Sequence, residues 1–374
     1  MKPNRNRLAI AAVAGAIAVS CAQQAPLPAA KSLADKLMWA AASRQIMYGH
    51  EDALLYGHSW SPEGARADGF DRSDVKEVCG DHPAVLGLDL GGIEMLANEN
   101  LDNLYFNDIR DAAAAHYARG GIVTFSWHAR NPLTGGDAWD VSSTQAVASV
   151  LEGGEKHRLF MDWLAAVGNF LESVTDAEGN PIPVIFRPWH EHTGSWFWWG
   201  RNLCTVKEYR ALWQMTYDYL AVKRGMSNLL WAYSPNTGID EEVYMERYPS
   251  DDFVDILGFD CYESRGKEES IESANARYEQ QLREALTFIS RLGSEHGKIV
   301  ALTETGFEGT PDPAWWTEVL LPAVSDFPIA YLLTWRNAWN IPTHFYAPYK
   351  GAASEENFIK FYDSPKTLFL EDIQ

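Results

Sequence analysis

Apolar residues along this chain gather into short runs, each closing on polar or aromatic residues and most followed by a longer amphipathic stretch. Eight runs read as strands: Gln45–His50, Ala84–Asp89, Gly121–His128, Pro183–Pro188, Asn228–Asn236, Val254–Tyr262, Ile299–Gly306 and Ile329–Arg336. Helical spacing of the apolar positions predicts helices over Asn107–Arg119, His157–Ser173, Thr205–Lys223, Ser273–His296 and Pro313–Val324. Strands that alternate with helices imply a parallel sheet, because a parallel crossover needs a dozen or more residues. Eight such units predict a closed (β/α)8 TIM barrel in the α/β class. The Val, Ile and Leu content of the runs fits strands covered by helices on one face and by the barrel interior on the other. No internal repeat and no Pro/Gly/Ser linker marks a second domain, so residues 39–374 are expected to fold as one unit after a tether over 22–38.

The ends of the runs differ from their middles. Gly49-His50, Ser126-Trp127-His128, Arg187 to Glu191, Ser234-Pro235-Asn236, Asp260-Cys261-Tyr262, Thr303-Glu304-Thr305 and Thr334-Trp335-Arg336 bring ionisable and aromatic groups to one barrel mouth, the end where barrel enzymes carry their chemistry. Among them Glu191 and Glu304 end the fourth and seventh strands. Two carboxylates facing each other across a substrate are what glycosidic cleavage needs. With 51 acidic residues in the chain, such a pair is a weak signal alone. Tryptophans strengthen it: Trp189, Trp196, Trp198 and Trp199 crowd around Glu191, and Trp127, Trp335 and Trp339 lie at or beyond other strand ends. Aromatic faces stack on the C–H faces of sugars, while Asn, Asp, His and Arg pair with hydroxyls. Roughly half of the 15 tryptophans are expected to fill the barrel and pack its helices instead. Those in the loop Thr193–Gly200 follow a strand directly and are expected to face the ligand.

Charge and the first residues narrow the setting. A net charge of −20 repels phosphate backbones and anionic bilayers, which argues against nucleic-acid binding and peripheral membrane binding. Lys2, Arg5 and Arg7 precede an apolar run from Leu8 to Val19, the order of a secretory signal over residues 1–21. Ala18-Val19-Ser20-Cys21 resembles a bacterial lipobox, so the chain is expected to be exported as a lipoprotein anchored through Cys21; an ordinary signal cut between Ala22 and Ala30 is the alternative. Cys79, Cys204 and Cys261 then remain, spaced too widely for a zinc ribbon; one disulfide or three buried thiols are both open.

The stretch Arg187-Pro188-Trp189-His190-Glu191-His192-Thr193-Gly194-Ser195-Trp196-Phe197-Trp198-Trp199-Gly200 resembles the acid/base segment of glycoside hydrolase family 26, the β-mannanases. Tyr48-Gly49-His50 with Tyr56-Gly57-His58, Phe125 to His128, Tyr248-Pro249 with Asp260 to Tyr262, and Leu302 to Gly306 follow the family pattern in order, over most of residues 40–370. The resemblance implies a retaining clan A barrel with Glu191 as acid/base and Glu304 as nucleophile. It further implies that His190 contacts the sugar at the cleavage position, Tyr262 holds the nucleophile, and Trp335 forms the floor under the reacting sugar. Trp196 is then expected on the leaving-group side, and His128 and Arg336 on the non-reducing side.

Other readings remain at this stage. His50, His58, His190 and His192 raise a metal site, but His-Glu-His lacks the helical spacing of a ligand pair, and neither metal nor cofactor is expected. His50 and His58 are expected to be hydrogen-bonded structural residues, Arg187 a brace for the catalytic carboxylates, and Glu263 and Glu308 surface charges. The expected substrate is β-mannan polysaccharide or oligosaccharide, cut by a monomer at internal β-1,4 bonds. Mannobiose release from chain ends is the near alternative, with Ala129–Asp140 as the loop that would close the cleft. A family member acting on β-xylan or β-glucan, and a sugar-binding protein without chemistry, are the others.

Overall fold

The computed structural model describes residues 28–374. The export signal, the Cys21 lipobox and the first residues of the tether lie outside them. Eight parallel strands close on themselves: β1 (Ile46–Glu51), β2 (Val85–Asp89), β3 (Ile122–Ser126), β4 (Val184–Arg187), β5 (Leu229–Tyr233), β6 (Ile256–Glu263), β7 (Ile299–Phe307) and β8 (Tyr331–Thr334). Closure is made by β1, which pairs with β8 through Met47 and Tyr331 and with β2 through Gly49 and Val85. A short ninth strand, β9 (Thr367–Leu368), adds to the start of β1 and was not expected. This is the (β/α)8 TIM barrel that the strand and helix alternation predicts.

Helices fall close to their expected ranges, at Phe106–Ala118, His157–Ser173, Val206–Tyr217 and Ile271–His296. Their limits have local causes. Thr205 and Glu208 form a reciprocal capping box at one start, and Gly297, left-handed at φ 66°, ends the longest helix. The stretch expected over Pro313–Val324 is shorter, a π-helical turn at Trp316–Leu320 running into Leu321–Val324.

The tether expectation needs correcting. Residues 28–38 belong to a helix, Pro28–Ala42, whose Ala30, Leu33, Leu37 and Ala40 are buried along one stripe. Leu33, Leu37 and Ala40 pack against Met47, Val85, Ile122, Ile185, Ile256, Ile299 and Tyr331, at the starts of the strands, and so plug the barrel floor. The mouth lies at the opposite end. There β6 and β7 slip by one residue: Phe259 faces Leu302, but Asp260 faces Glu304. The extra residue, Thr303, ties the bulge together by donating its hydroxyl to Phe259 O (3.0 Å) and Asp260 Oδ1 (2.6 Å).

Candidate active site

Past Arg187 the chain turns sharply, with Trp189 (φ 55°) and Glu191 (φ 52°) both in the left-handed region, which L side chains occupy only under constraint. The constraint is visible. Ser234 O accepts Glu191 N–H (2.8 Å), His190 O accepts Trp199 Nε1–H (2.8 Å), and Trp189 O accepts the Tyr209 hydroxyl (2.9 Å). Trp189 is fully buried, and so are Trp198 and Trp199, contrary to the expectation that the tryptophans of the loop Thr193–Gly200 face the ligand; the three are the scaffold that holds Glu191 in its unusual conformation. Trp127 is likewise sealed, its Nε1–H donated to Glu94 (3.1 Å). Trp196 alone of that loop's three tryptophans is exposed, at 40%.

Glu191 accepts Trp196 Nε1–H at Oε2 (2.6 Å) and Asn236 Nδ2–H at Oε1 (3.2 Å). Glu304 accepts the Tyr262 hydroxyl at Oε2 (2.7 Å) and an Arg187 N–H at Oε1. Arg187 also donates to Asp260 Oδ2 (3.0 Å) and Ser234 Oγ (3.1 Å), so it braces the carboxylates as expected. One oxygen each of Glu191, Asp260 and Glu304 lies within 4.8 Å of the other two. Burial, then the charge of Glu304, pushes Glu191 up to about 7, partly offset by Trp196, Arg187 and Asn236. Burial and the same charge push the Tyr262 phenol well up, so it stays protonated and donates. Burial opposes the Arg187 charge, but Asp260 and Glu304 outweigh it and the guanidinium is held more firmly.

A hollow of about 220 Å³ opens at this point, lined by His128, Trp139, His190, Glu191, Trp196, Phe197, Tyr262, Glu304, Trp335 and Tyr346. A neighbouring hollow of about 270 Å³ shares His128 and Trp139 and continues past Met95, Leu101, Arg130 and Asp137. Seven of the expected site residues therefore meet in one groove. Arg336 does not line it: its guanidinium pairs with Asp102 (3.0 Å) and the Tyr56 hydroxyl (3.3 Å). Phe197, within the Arg187–Gly200 segment but not singled out there, and Tyr346, in no quoted motif, are additions, and Trp139 comes from the loop Ala129–Asp140.

Other expectations resolve residue by residue. Glu263 is buried rather than a surface charge, because the lengthened β6 carries it inside, where it accepts Trp315 Nε1–H (2.6 Å). Glu308 is exposed and pairs with His344 (2.8 Å). His58 bonds Pro342 O (3.0 Å) and stacks on Tyr349. His50 is sealed in the barrel with neither ring nitrogen at hydrogen-bonding geometry, and burial pushes it down to about 3. His192 lies between the hydroxyls of Tyr209 (2.9 Å) and Tyr233 (3.0 Å), turned away from the groove. Cys204 and Cys261 are buried free thiols, and the Cys79 Sγ lies 3.2 Å from Val75 O. Among the described residues, no helix is long and apolar enough to cross a membrane.

A closed parallel barrel with a carboxylate pair at its mouth, set in a groove walled by aromatic rings, has the form of a glycoside hydrolase. The chain belongs to glycosyl hydrolase family 26, whose model matches residues 26–305. A mannan endo-1,4-beta-mannosidase of Bifidobacterium adolescentis is 34% identical over 84% of this chain, which spans 33% of that relative's length. One from Bacillus subtilis is 28% identical over 50% of this chain and 53% of its own. The chain thus spans between a third and about half of these curated relatives. Among solved structures, a family 26 β-mannanase from Bacteroides ovatus superposes with a TM-score of 0.86 at 47% identity, over 92% of this chain and 96% of that one. The catalytic domain of an endo-β-1,4-mannanase from Bacillus sp. JAMB-750 does so at 0.83 and 33% identity, over 93% of each.

Proposed function

We propose that this chain is a retaining endo-β-1,4-mannanase in which Glu191 is the acid/base and Glu304 the nucleophile. The observation that carries the mechanism is the carboxylate spacing. Oxygens within 4.8 Å are too close to hold both the anomeric carbon and an attacking water between them, which fits the roughly 5 to 5.5 Å of retaining enzymes and not the 6.5 to 9.5 Å of inverting ones. The partners divide the roles. Glu304 accepts from a cation and a phenol that hold its carboxylate in place for attack, whereas Glu191, raised to about 7, is a proton donor at neutral pH.

Glu191 gives its proton to the glycosidic oxygen while Glu304 attacks the anomeric carbon and forms a glycosyl ester. Esterification removes the Glu304 charge that had raised Glu191. Glu191 is then a base: it takes a proton from water as that water attacks the anomeric carbon and breaks the ester. Trp335 lies under the reacting sugar, Trp196 flanks the leaving group, His190 meets the sugar at the cleavage position, and the His128 ring walls the non-reducing side. Arg336, with its side chain 18% exposed, is assigned to the non-reducing side beyond the hollow.

The curated relatives named for mannan, and the β-mannanase structures, support the substrate. Incubating the purified protein with mannohexaose and with mannan, xylan and glucan is expected to give a spread of early manno-oligosaccharides and no release from the other two. Mannobiose as the sole early product would overturn endo action; turnover confined to xylan or glucan would overturn the substrate.

The chain is further proposed to be exported and held at a membrane by lipid on Cys21. The order of Lys2, Arg5, Arg7, the run Leu8–Val19 and Ser20-Cys21 supports this. Mass spectrometry of the membrane fraction is expected to find a diacylglyceryl mass on Cys21; an unmodified N-terminus between Ala22 and Ala30 would remove the anchor.

A further inference from the structure

A second chain of buried ionisable groups runs into the same hollow without a part in the steps above. Asp89, at the end of β2, is enclosed, and its carboxylate is filled from three sides. Oδ1 accepts Gly91 N–H (2.6 Å), while Oδ2 accepts the Ser126 hydroxyl (2.5 Å) and His128 Nδ1–H (2.7 Å). His128 Nε2 lies 3.0 Å from His190 Nε2. His190 Nδ1 is shielded and has no hydrogen-bond partner among the described residues, although its ring lines the hollow.

Two ring nitrogens at this distance share one proton, and Asp89 decides which of them owns it. Asp89 accepts at Nδ1 of His128, so that nitrogen keeps its proton throughout. If His128 is a cation, its Nε2–H donates, His190 Nε2 must accept, and the neutral His190 carries its proton on Nδ1. If His128 is neutral, His190 Nε2–H donates and Nδ1 can only accept.

The surroundings favour the cation. Asp89 faces His128 from β2 and Glu304 from β7, Asp102 adds a further negative charge, and Arg187 on β4 opposes them. Burial opposes the imidazolium, but the charge and hydrogen bond of Asp89, with Glu304, raise His128 above its ordinary value. His190 is the reverse: burial, then Arg187 and His128, press it well below, and it stays neutral. Trp139 stacks over His128 (5.2 Å, 14°), and the edges of Phe197 and Trp335 close the sides against water.

We infer that Asp89, out of the substrate's reach, is a positioning residue for cleavage: it holds the second proton on His128 and so sets the proton order of the His128–His190 pair that walls the hollow, with His190 Nε2 accepting and its Nδ1 carrying the proton. The kinetic half of the test rests on the mannanase reading; the proton order does not.

Selective 15N-histidine labelling of the full chain reads the protonation of each ring directly. At pH 6 the wild type is expected to show His128 protonated on both nitrogens and His190 on Nδ1. As pH rises and His128 loses its Nε2 proton, His190 should switch to Nε2–H. A neutral His128 with His190 Nε2–H at pH 6 overturns the inference. Asp89→Asn keeps shape and one acceptor oxygen but loses the charge. It is expected to move the His190 switch down by about one pH unit or more. It should also lower kcat/KM on manno-oligosaccharides about 10- to 100-fold at pH 7, with much of the loss recovered near pH 5.5. An unmoved switch with an equal loss at every pH makes Asp89 a mere structural brace and overturns the inference. Should that variant not fold, the wild-type titration decides alone. Absence of mannan hydrolysis by the wild type would sink the proposed function and leave the proton order standing.

Discussion

Replacing Glu304 by alanine is expected to lower mannan turnover by at least about 10⁴-fold, because the covalent route has no substitute nucleophile. Asp260, a carboxylate within 4.8 Å of Glu304, is fully enclosed, does not line the hollow, and has its oxygens committed to Arg187 and Thr303. The lost side chain leaves a space on the face from which the ester would form. Azide entering that space should attack the anomeric carbon from the same side and restore part of the rate, giving the α-glycosyl azide from a β-linked substrate. Rate measurement with and without azide, and the anomeric configuration of the product by NMR, check both halves. A variant near wild-type activity, or a β-azide, would mean that Glu304 is not the nucleophile. The cation Arg187 keeps Asp260 in this variant, so the fold should survive for the measurement.

Glu191→Gln is the second large effect, with an expected fall of about 10²- to 10⁴-fold on mannan, the usual weight of a positioned general acid. An aryl β-mannobioside with a good leaving group needs no protonation, so it should still glycosylate Glu304 and give a burst followed by slow turnover. The pH profile supplies an independent check. Only the protonated acid can act, so wild-type activity should fall as pH rises through about 7. The amide does not titrate, and the burst rate of the variant should lack that limb. Retention of the limb would assign it to another group, and mannan turnover equal to the wild type would remove Glu191 from the mechanism.

The barrel was legible because each strand is an apolar run that closes on polar residues, a period that survives whatever the helices do around it. The site was legible in part for the same reason, since strand ends such as Glu304 and Tyr262 must gather at one mouth. What escaped depends on long-range packing. Pro28–Ala42 carries a helical stripe, but nothing in its own residues says that a barrel floor waits to receive Leu33 and Leu37. Trp198 and Trp199 look like ligand-facing residues in a loop, and only the fold reveals the left-handed turn at Glu191 that they brace. Glu263 resembles a loop charge until β6 extends to enclose it. Asp89 ends a strand as dozens of aspartates do; its importance lies in a contact with His128, which is remote along the chain.

The helix that stoppers the barrel floor fixes a polarity for the whole molecule. Leu33 and Leu37 are seated at the pole farthest from the groove, so a support attached at that pole, a bead for instance, leaves the open trough turned to the surrounding medium. A long strand of polysaccharide could then be seized anywhere along its length, with neither tip having to thread past the support.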